Sequence, residues 1–502
     1  MTQYKVFRDA VHNMICLHRH GHGDGAAPED WGDPLLLQLI DTPEMQRLRR
    51  ISQLGPASRV YPSAEHSRFS HSLGVMHLVK RMLSLLLRGN PQGIDPVQRL
   101  MVKTAALLHD LGHGPFSHAF ERIHPRCGGH EAWTGRIITG PGEVQRRIRH
   151  YCEVRNLDPD AFLQGVLGIL DLPGGVAPEP VISQMVCGQL DADRMDYLLR
   201  DALFTGVSYG RYDLEWLLHS LRQVSSGERE LLAVDISKGA TALENYLTAR
   251  DHMYRQVYDH KTVRALEFQL AHIFDVVRWI RERLGRFPEG TPEDMARFLD
   301  VPQGGLPSLE HYLALDDSVV HGALAHWSRE GVNGTHLERE LAHRCAIFRN
   351  RTGVYMRLRF HSRTLFQSDT QSPGSELIED GEELKALEQF FQEHAERTFR
   401  VLGAGQSPLD VPLRLIAGVD HLRRSPYAHL LYAPESSHPI HVLDRHGHLR
   451  LAEEVCPDIA VMGRHRRRLG RVFCDRRARR EVTRFLAEHF SHPTLSIAQD
   501  SP

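Results

Sequence analysis

Leu107–His118 reads L-L-H-D-L-G-H-G-P-F-S-H, and these twelve residues hold three histidines, one aspartate, two glycines and a proline. Ahead of them, Val97–Leu111 carries apolar residues at helical spacing (Leu100, Met101, Ala105, Leu107, Leu108), which predicts a buried helix with His109 and Asp110 at its end. Gly112, Gly114 and Pro115 break that helix, and a new one is expected near Ser117. A His-Asp pair at the end of an apolar helix is costly to bury unless its charge is compensated. A metal ion is the natural compensation.

The chain has 502 residues, enough for two or three domains and a large core. A formal charge of −2 gives no bulk attraction to nucleic acid or to a membrane surface. Histidine is over-used, at 33 residues, which permits metal chemistry without locating it. The 7 cysteines show no C-x-x-C spacing and read as reduced thiols of a cytosolic protein. Met1–Lys5 lacks a signal pattern, and no apolar run approaches membrane-spanning length. A soluble, cytoplasmic protein with no membrane partner is expected.

Tyr4–Leu17 alternates enough for a short strand pair, and His18–Asp33, with His18, His20 and His22, reads as a loop insertion. Leu35–Leu54 reads as helical, with a start signal at Asp41-Thr42-Pro43-Glu44. Another helix starts after Arg68 and carries His71, Val75, Leu78 and Met82 on one face. His130–Arg222 is helical with loops at Gly140 and Leu172–Pro180, Thr241–Val277 makes one or two long helices, and more follow through Arg351. Gln367–Glu383 is polar and loses the apolar period, which places a boundary there. Beyond it come a helix at Leu384–Leu402, β-like runs at Pro426–Tyr432, Ile440–Leu443 and Gly470–Cys474, and a last helix at Arg479–Phe490. The fold expectation is mainly α: a helical body over 1–366, a linker at 367–383, and a smaller α+β region over 384–502.

A mixed N/O metal site needs more than His109 and Asp110. His71, in R-F-S-H-S-L-G-V, lies on the buried face of its helix. In L-D-A-D-R-M-D-Y-L-L-R-D (190–201), Asp193, Tyr197 and Asp201 share one helix face while Asp191 points elsewhere. Four acidic residues in that short helix would repel one another without a cation nearby. Two imidazoles and two carboxylates suit Fe, Mn, Co, Ni or Zn, with Mg as a softer possibility. Such a site activates water and holds phosphoryl oxygens.

His71, His109-Asp110 and Asp193 resemble the H…HD…D signature of the HD-domain metal-dependent phosphohydrolases. D-T-P-E-M-Q-R-L-R-R-I-S-Q-L-G (41–55), R-F-S-H-S-L-G-V (68–75), H-D-L-G-H-G-P-F-S-H (109–118), D-A-D-R-M-D-Y-L-L-R-D (191–201) and Y-R-Q-V-Y-D-H-K (254–261) are similar to the deoxynucleoside triphosphate triphosphohydrolases. The resemblance is to the branch holding the animal SAM-and-HD-domain enzymes and their bacterial dGTPase-like relatives, and a member lacking the SAM domain is expected. It runs through roughly residues 4–360 with the motifs in the family's order, and only loosely through the C-terminal third.

The resemblance implies an HD-domain helical bundle in which water attacks the α-phosphate of a dNTP, giving deoxynucleoside and inorganic triphosphate. It implies His71, His109, Asp110 and Asp193 as metal ligands, and His113, His118 and His130 along the α-phosphate. The departing 5′-oxygen requires a proton, which histidine can supply near neutral pH. His118 is the favoured acid and His130 the rival, with Glu121 placed to orient His118 where the family usually has Asp. Arg68, Arg194, Arg250 and Lys261 match phosphate-contacting positions, and Arg250, Tyr254, Tyr258 and Lys261 are expected on one helix face. Sugar selection falls to Gln53, Leu54, Tyr197, Asp201 and Tyr258, with Tyr258 and Leu54 packed where a 2′-hydroxyl would sit.

The resemblance also implies a GTP or dGTP activator held by Asp41, Gln46 and Arg49, with Lys5 reaching in from a neighbouring subunit, and hence a homo-oligomer, dimer or tetramer. The basic residues of the family's second activator site are not matched around Leu231–Gly239. A single activator or a constitutive oligomer is therefore expected. The alternative readings are an HD phosphodiesterase or single-strand nuclease, for which the basic run Arg464–Arg480 is the support, and a nucleotide-sensing scaffold. Nucleic acid is not the favoured partner.

Overall fold

The computed structural model describes residues 3–20, 27–90, 93–123, 128–301, 305–358, 360–362, 381–402, 408–424, 439–464, 467–492 and 495–497. His22, Cys127, Pro426–Tyr432 and most of the expected linker lie outside the described residues.

Two hydrophobic cores organise the chain. The first is built around the Arg68–Gly89 and Pro96–Leu108 helices and takes in residues from Ile15 to Val257. Pro96–Leu108 starts from a full capping box, with Asp95 accepting from the Gln98 amide and Gln98 reaching back to the Asp95 amide. The second surrounds the Lys261–Leu284 helix and draws in Asp317–Glu330, His336–Asn350, Gly381–Glu393 and Arg479–His489. The L-L-H-D-L-G-H-G-P-F-S-H stretch crosses between them. Leu107, Leu108 and Leu111 are buried in the first core, and Phe116, Ala119 and Phe120 in the second. The histidines between them stand at the seam.

The C-terminal third serves both cores. His441–Leu443 pairs parallel to Arg229–Asp235, giving a four-stranded sheet in the order Leu449–Leu451, His441–Leu443, Arg229–Asp235, Leu221–Ser226. Ile440, Val442, Ala452, Cys456 and Ile459 thereby join the first core. Arg467–Cys474 pairs with Ala417–Arg424 and Met356–Arg357 over the second. The C-terminal third thus supplies residues to both cores.

Several expected elements differ for local reasons. Leu35–Leu54 is two short helices, Asp33–Ile40 and Pro43–Arg47, followed by a single 3-10 turn at Leu48–Arg50 and then non-helical chain. Pro43 holds Thr42 extended (φ −71°, ψ 148°), and Thr42, not Asp41, is the N-cap, its hydroxyl accepting from the Met45 amide. The hairpin Leu221–Ser226/Arg229–Asp235 was not anticipated, although its two-residue Gly227-Glu228 loop, with Gly227 at φ +62°, is a turn signal. Gly381–Glu383 already belongs to a helix that ends at Glu393, and Thr398–Leu402 is a strand, its Phe399 and Val401 alternating inward. Among the described residues, no helix is long and apolar enough to cross a membrane.

In the basic run 464–480, Arg471 and Arg477 turn inward, while Arg476 and Arg480 are exposed. Arg471 is 3% exposed and donates to the Asp259 carbonyl at 2.6 Å. Arg477 grips Glu340 with both nitrogens (2.6 and 2.8 Å) and Asp475 at 2.7 Å, while Arg344 takes Glu340 at 2.7 Å. Burial alone would raise both carboxyls, but the arginines outweigh it and hold them below the usual carboxylate range. Such lowered groups stabilise the fold above their unfolded pKa, and this stability is lost as pH falls through the folded one. Arg477→Ala is expected to lower the unfolding free energy by about 3 kcal/mol at neutral pH, the low end for a broken buried pair because Arg344 remains. The gap to wild type should narrow below about pH 4. Urea melts at both pH values check this; equal stability at neutral pH would sink it.

Candidate active site

His71 sits in the first turn of Arg68–Gly89, His109 at the C-cap of Pro96–Leu108, and Asp193 in the first turn of the Ala192–Thr205 helix. Their ligand atoms meet at the seam. His71 Nε2 is 3.0 Å from Asp193 Oδ1, 3.3 Å from His109 Nε2 and 3.6 Å from Asp110 Oδ2. His109 Nε2 is 3.6 Å from Asp193 Oδ1 and 3.4 Å from Asp110 Oδ1. The other ring nitrogens are engaged behind: His109 Nδ1 at 2.9 Å from the Ala106 carbonyl, His71 Nδ1 at 2.7 Å from Asp196 Oδ2. Those acceptors hold one proton on each Nδ1, so a metal ion replacing the Nε2 protons would meet a lone pair on each ring. Two imidazoles and a carboxylate converge as a group able to hold a metal ion, with Asp110 alongside.

The electrostatics agree. Burial would lower the pKa of His71, but hydrogen bonds to Asp193 and Asp196 outweigh it and raise it to about 10. His109 is raised in the same way against burial, by Asp110 and then Asp193. Asp110 is held well below its ordinary range against its own burial, chiefly by Arg68, whose Nη1 donates to Oδ2 at 2.6 Å. The cluster therefore favours positive charge at its centre.

The acidic helix around Asp193 needs less cation than its composition suggested. Asp191 caps it and pairs with Arg194, Asp196 pairs with Arg200, and Asp201 lies 2.7 Å from His66 Nε2 and accepts from the Tyr258 hydroxyl at 2.8 Å. Among these carboxylates, Asp193 faces the two ring nitrogens of His71 and His109.

The turn that follows His113 is strained. Phe116 and Ser117 both have left-handed φ, +57° and +55°, costing about 1–2 kcal/mol per residue. It is held by Asp317 accepting from the Phe116 amide at 2.7 Å, by Ser117 Oγ donating to the Ser52 carbonyl at 2.6 Å, and by Arg68 Nε donating to that hydroxyl at 2.8 Å. Gly55 is required beneath it, since a Cβ there would lie 2.7 Å from the Phe116 carbonyl oxygen. This turn delivers His118 to a second cluster. His113 and His130 stack at 3.8 Å, and His118 stands edge-on to both, at 5.0 and 5.3 Å. Glu121 is 2.8 Å from His130 Nδ1 and 3.3 Å from His118 Nδ1, so its nearer partner is the rival acid and not the favoured one. The two imidazoles outweigh burial and hold Glu121 ionised. His113 is kept neutral, first by burial and then by the charge of Arg68.

One cavity of about 700 Å³ touches both clusters. Gln53, Leu54, Arg68, Asp110, His113, His118, His130, Asp193, Arg194, Tyr197, Asp201 and Tyr258 line it. His71, His109 and Glu121 stand behind that lining, and Arg250 and Lys261 do not line it either. The helix that bears Arg250 ends at Met253, a π-turn spans Tyr254–Tyr258, and a new helix capped by His260 starts at Lys261. That break destroys the expected common face: Lys261 is exposed, and Arg250 stands behind the Tyr254 ring with its guanidinium carbon 5.9 Å from the ring centre. Missed in the sequence were Arg264, Glu267 and His421 on the far wall. His421 comes from a strand of the second core, and no local pattern announces it.

Asp41 is exposed at the C-cap of Asp33–Ile40, beside Gln46, which donates to the Ile40 carbonyl at 2.7 Å and accepts from Arg49 Nε at 2.7 Å. Arg49 covers the Phe69 ring at 3.7 Å. Lys5 is exposed on the Tyr4–Asp9 strand, its ammonium over Phe7.

Residues 68–167 match the HD domain family, a span that includes His71, His109 and Asp110. The uncharacterized protein YwfO of Bacillus subtilis (strain 168) is 36% identical over 66% of this chain and 68% of its own length. The chain belongs to the HD-domain phosphohydrolase family. This HD-domain chain is also 30% identical to the deoxynucleoside triphosphate triphosphohydrolase SAMHD1 of Homo sapiens, over 54% of its own length and 44% of that protein's. It thus spans less than half of SAMHD1. Among solved structures, a phosphohydrolase from Bacteroides thetaiotaomicron VPI-5482 matches with a TM-score of 0.65 and 24% identity, covering 94% of this chain and 100% of that one, a likeness of fold.

Proposed function

We propose that this HD-domain protein is a metal-dependent dNTP triphosphohydrolase, cleaving at the α-phosphate to release deoxynucleoside and inorganic triphosphate. The observation that carries the reading is the meeting of two clusters on one cavity, a His/Asp group able to hold a metal and a His/Glu group suited to proton transfer. Similarity to SAMHD1 supports the substrate class.

His71, His109, Asp110 and Asp193 would hold the metal, with Fe, Mn, Co, Ni or Zn fitting the donor set. When bound, such an ion supplies Lewis acidity toward a phosphoryl oxygen and a nucleophile at neutral pH. His118, its side chain 59% exposed and turned to the cavity, gives its proton to the departing 5′-oxygen, and Glu121 steadies the charged imidazole. His130 is stacked and more enclosed, so it serves better as a wall. Arg68 and Arg194 lend positive charge to the triphosphate. Gln53 and Asp201 bond the 3′-hydroxyl, while Tyr258, fixed by its bond to Asp201, packs with Leu54 against C2′.

The test is a panel of dNTPs, rNTPs, mononucleotides and oligonucleotides with Mn, Mg, Fe and Co, read by product chromatography. Triphosphate and deoxynucleoside from dNTPs alone are expected. Cleavage of oligonucleotides, with dNTPs untouched, would overturn the reading. Tyr258→Ala should narrow the preference for dNTP over rNTP by about 10–100-fold, as expected when a steric contact is lost.

Asp41, Gln46 and Arg49, with Lys5 from a second copy, form the activator site in this reading. An Asp carboxylate can accept from both N1–H and N2–H of guanine, and binding there would favour assembly by mass action. GTP or dGTP should raise both the rate of dATP hydrolysis and the sedimentation coefficient, and Asp41→Ala should abolish both responses. No response in the wild type would remove the regulatory part and leave the catalytic one.

A further inference from the structure

Behind His71 lies a set of buried side chains that the proposed reaction does not use. Asp196 Oδ2 is 2.7 Å from His71 Nδ1, and Asp196 Oδ1 is 2.6 Å from Nε2 of His12. Arg200 donates to both carboxylate oxygens, at 2.8 and 3.0 Å. His12 stands in the turn between the strands Tyr4–Asp9 and Asn13–His18. Asp9 locks that turn by accepting from the Val11 and His12 amides, both at 2.9 Å, and it also binds Arg200 at 2.8 Å. All of these side chains are buried: His12 is 2% exposed, Asp196 0%, Arg200 1% and Asp9 7%.

Gly74 is a second, independent sign that this contact is built in. It lies on the His71 helix, one turn on, and a Cβ there would fall 1.9 Å from Asp196 Oδ1 and 2.6 Å from Arg200 Nη2. With any side chain at 74, the carboxylate could not stay where it reaches both imidazoles. The glycine of R-F-S-H-S-L-G-V thus has a physical role: it lets the Ala192–Thr205 helix bring Asp196 against His71.

We propose that Asp196 and His12 are positioning residues for His71, an inference that rests on His71 being a metal ligand. An ionised carboxylate only accepts, so Asp196 keeps a proton on His71 Nδ1 and points Nε2 toward Asp193, His109 and Asp110, where it would meet the ion. His12 and Arg200 in turn fix the carboxylate, so it can neither rotate nor drift toward the neighbouring cluster. The N-terminal hairpin therefore helps set the affinity of a site to which it contributes no ligand.

The test uses the full chain loaded with Co(II), with affinity measured by chelator competition and geometry by the visible absorption of the bound ion. Asp196→Asn keeps the shape but lets the amide donate, and is expected to weaken Co(II) binding about 10–100-fold and alter the spectrum. His12→Gln, farther from the ion, should shift both in the same direction by less, and Gly74→Ala should resemble Asp196→Asn. Asp193→Asn is the control for the site itself. If Asp193→Asn weakens Co(II) binding while folded Asp196→Asn and His12→Gln match wild type in affinity and spectrum, the relay is overturned and the site stands. Unchanged binding in Asp193→Asn would remove the metal assignment on which the inference depends. Should Asp196→Asn fail to fold, His12→Gln decides alone, with an unchanged spectrum and affinity counting against the proposal.

Discussion

Asp193→Ala is expected to lose bound metal and dNTP hydrolysis together while the fold stands. The carboxylate faces both presented ring nitrogens, and its side chain is 31% exposed, so its removal opens no sealed pocket. The stability lost should stay within the roughly 1.5–3 kcal/mol of a charged hydrogen bond. Hydrolysis should fall at least about 10³-fold, since a catalytic ion supplies several kcal/mol of transition-state charge stabilisation. Asp110→Ala is a poorer probe of the same point. It strands Arg68, whose side chain is 6% exposed, and an unpaired buried charge costs about 3–5 kcal/mol. Metal analysis beside circular dichroism separates the two variants. Full metal content and turnover in Asp193→Ala would show that the ion, if any, is held elsewhere.

His118→Ala is expected to lower kcat by about 10²–10⁴-fold with metal content unchanged, the range for loss of a general acid. Exposure of the ring means that folding should be indifferent to the change. The pH–rate profile should lose the limb that reports a protonated acid. His130→Ala is expected to act differently, because it removes the stacking partner of His113 and the nearer partner of Glu121. Its effect should fall on positioning, with some loss of stability and a smaller change in kcat. A near-normal His118→Ala beside a crippled His130→Ala would exchange their roles.

The parts of the site legible in the sequence were those written locally. His109-Asp110 could be read because an apolar helix ends on it and glycines and proline stop the helix there. Helical phase put His71 on a buried face and grouped Asp193 with Tyr197 and Asp201, and the family resemblance picked Asp193 out of that group; both stand in the first turn of their helices. Helical phase also misled. Arg250 and Lys261 share a face only if the helix runs unbroken, and the π-turn at Tyr254–Tyr258 shifts the register between them. Asp196 lay in plain view among four acidic residues, but its significance depends on His12 and on the space left by Gly74, which are distant in the chain. The two cores were illegible for the same reason: the parallel pairing of His441–Leu443 with Arg229–Asp235 joins segments that no local pattern connects.

The most direct test of the central claim is hydrolysis of a dNTP in oxygen-labelled water by metal-loaded protein, with products resolved by mass spectrometry. Attack at the α-phosphate forms a new bond from water oxygen to phosphorus and breaks the bond to the 5′-oxygen. One labelled oxygen should therefore appear in inorganic triphosphate and none in the deoxynucleoside. Pyrophosphate with a deoxynucleoside monophosphate, or label in the nucleoside, would contradict the account.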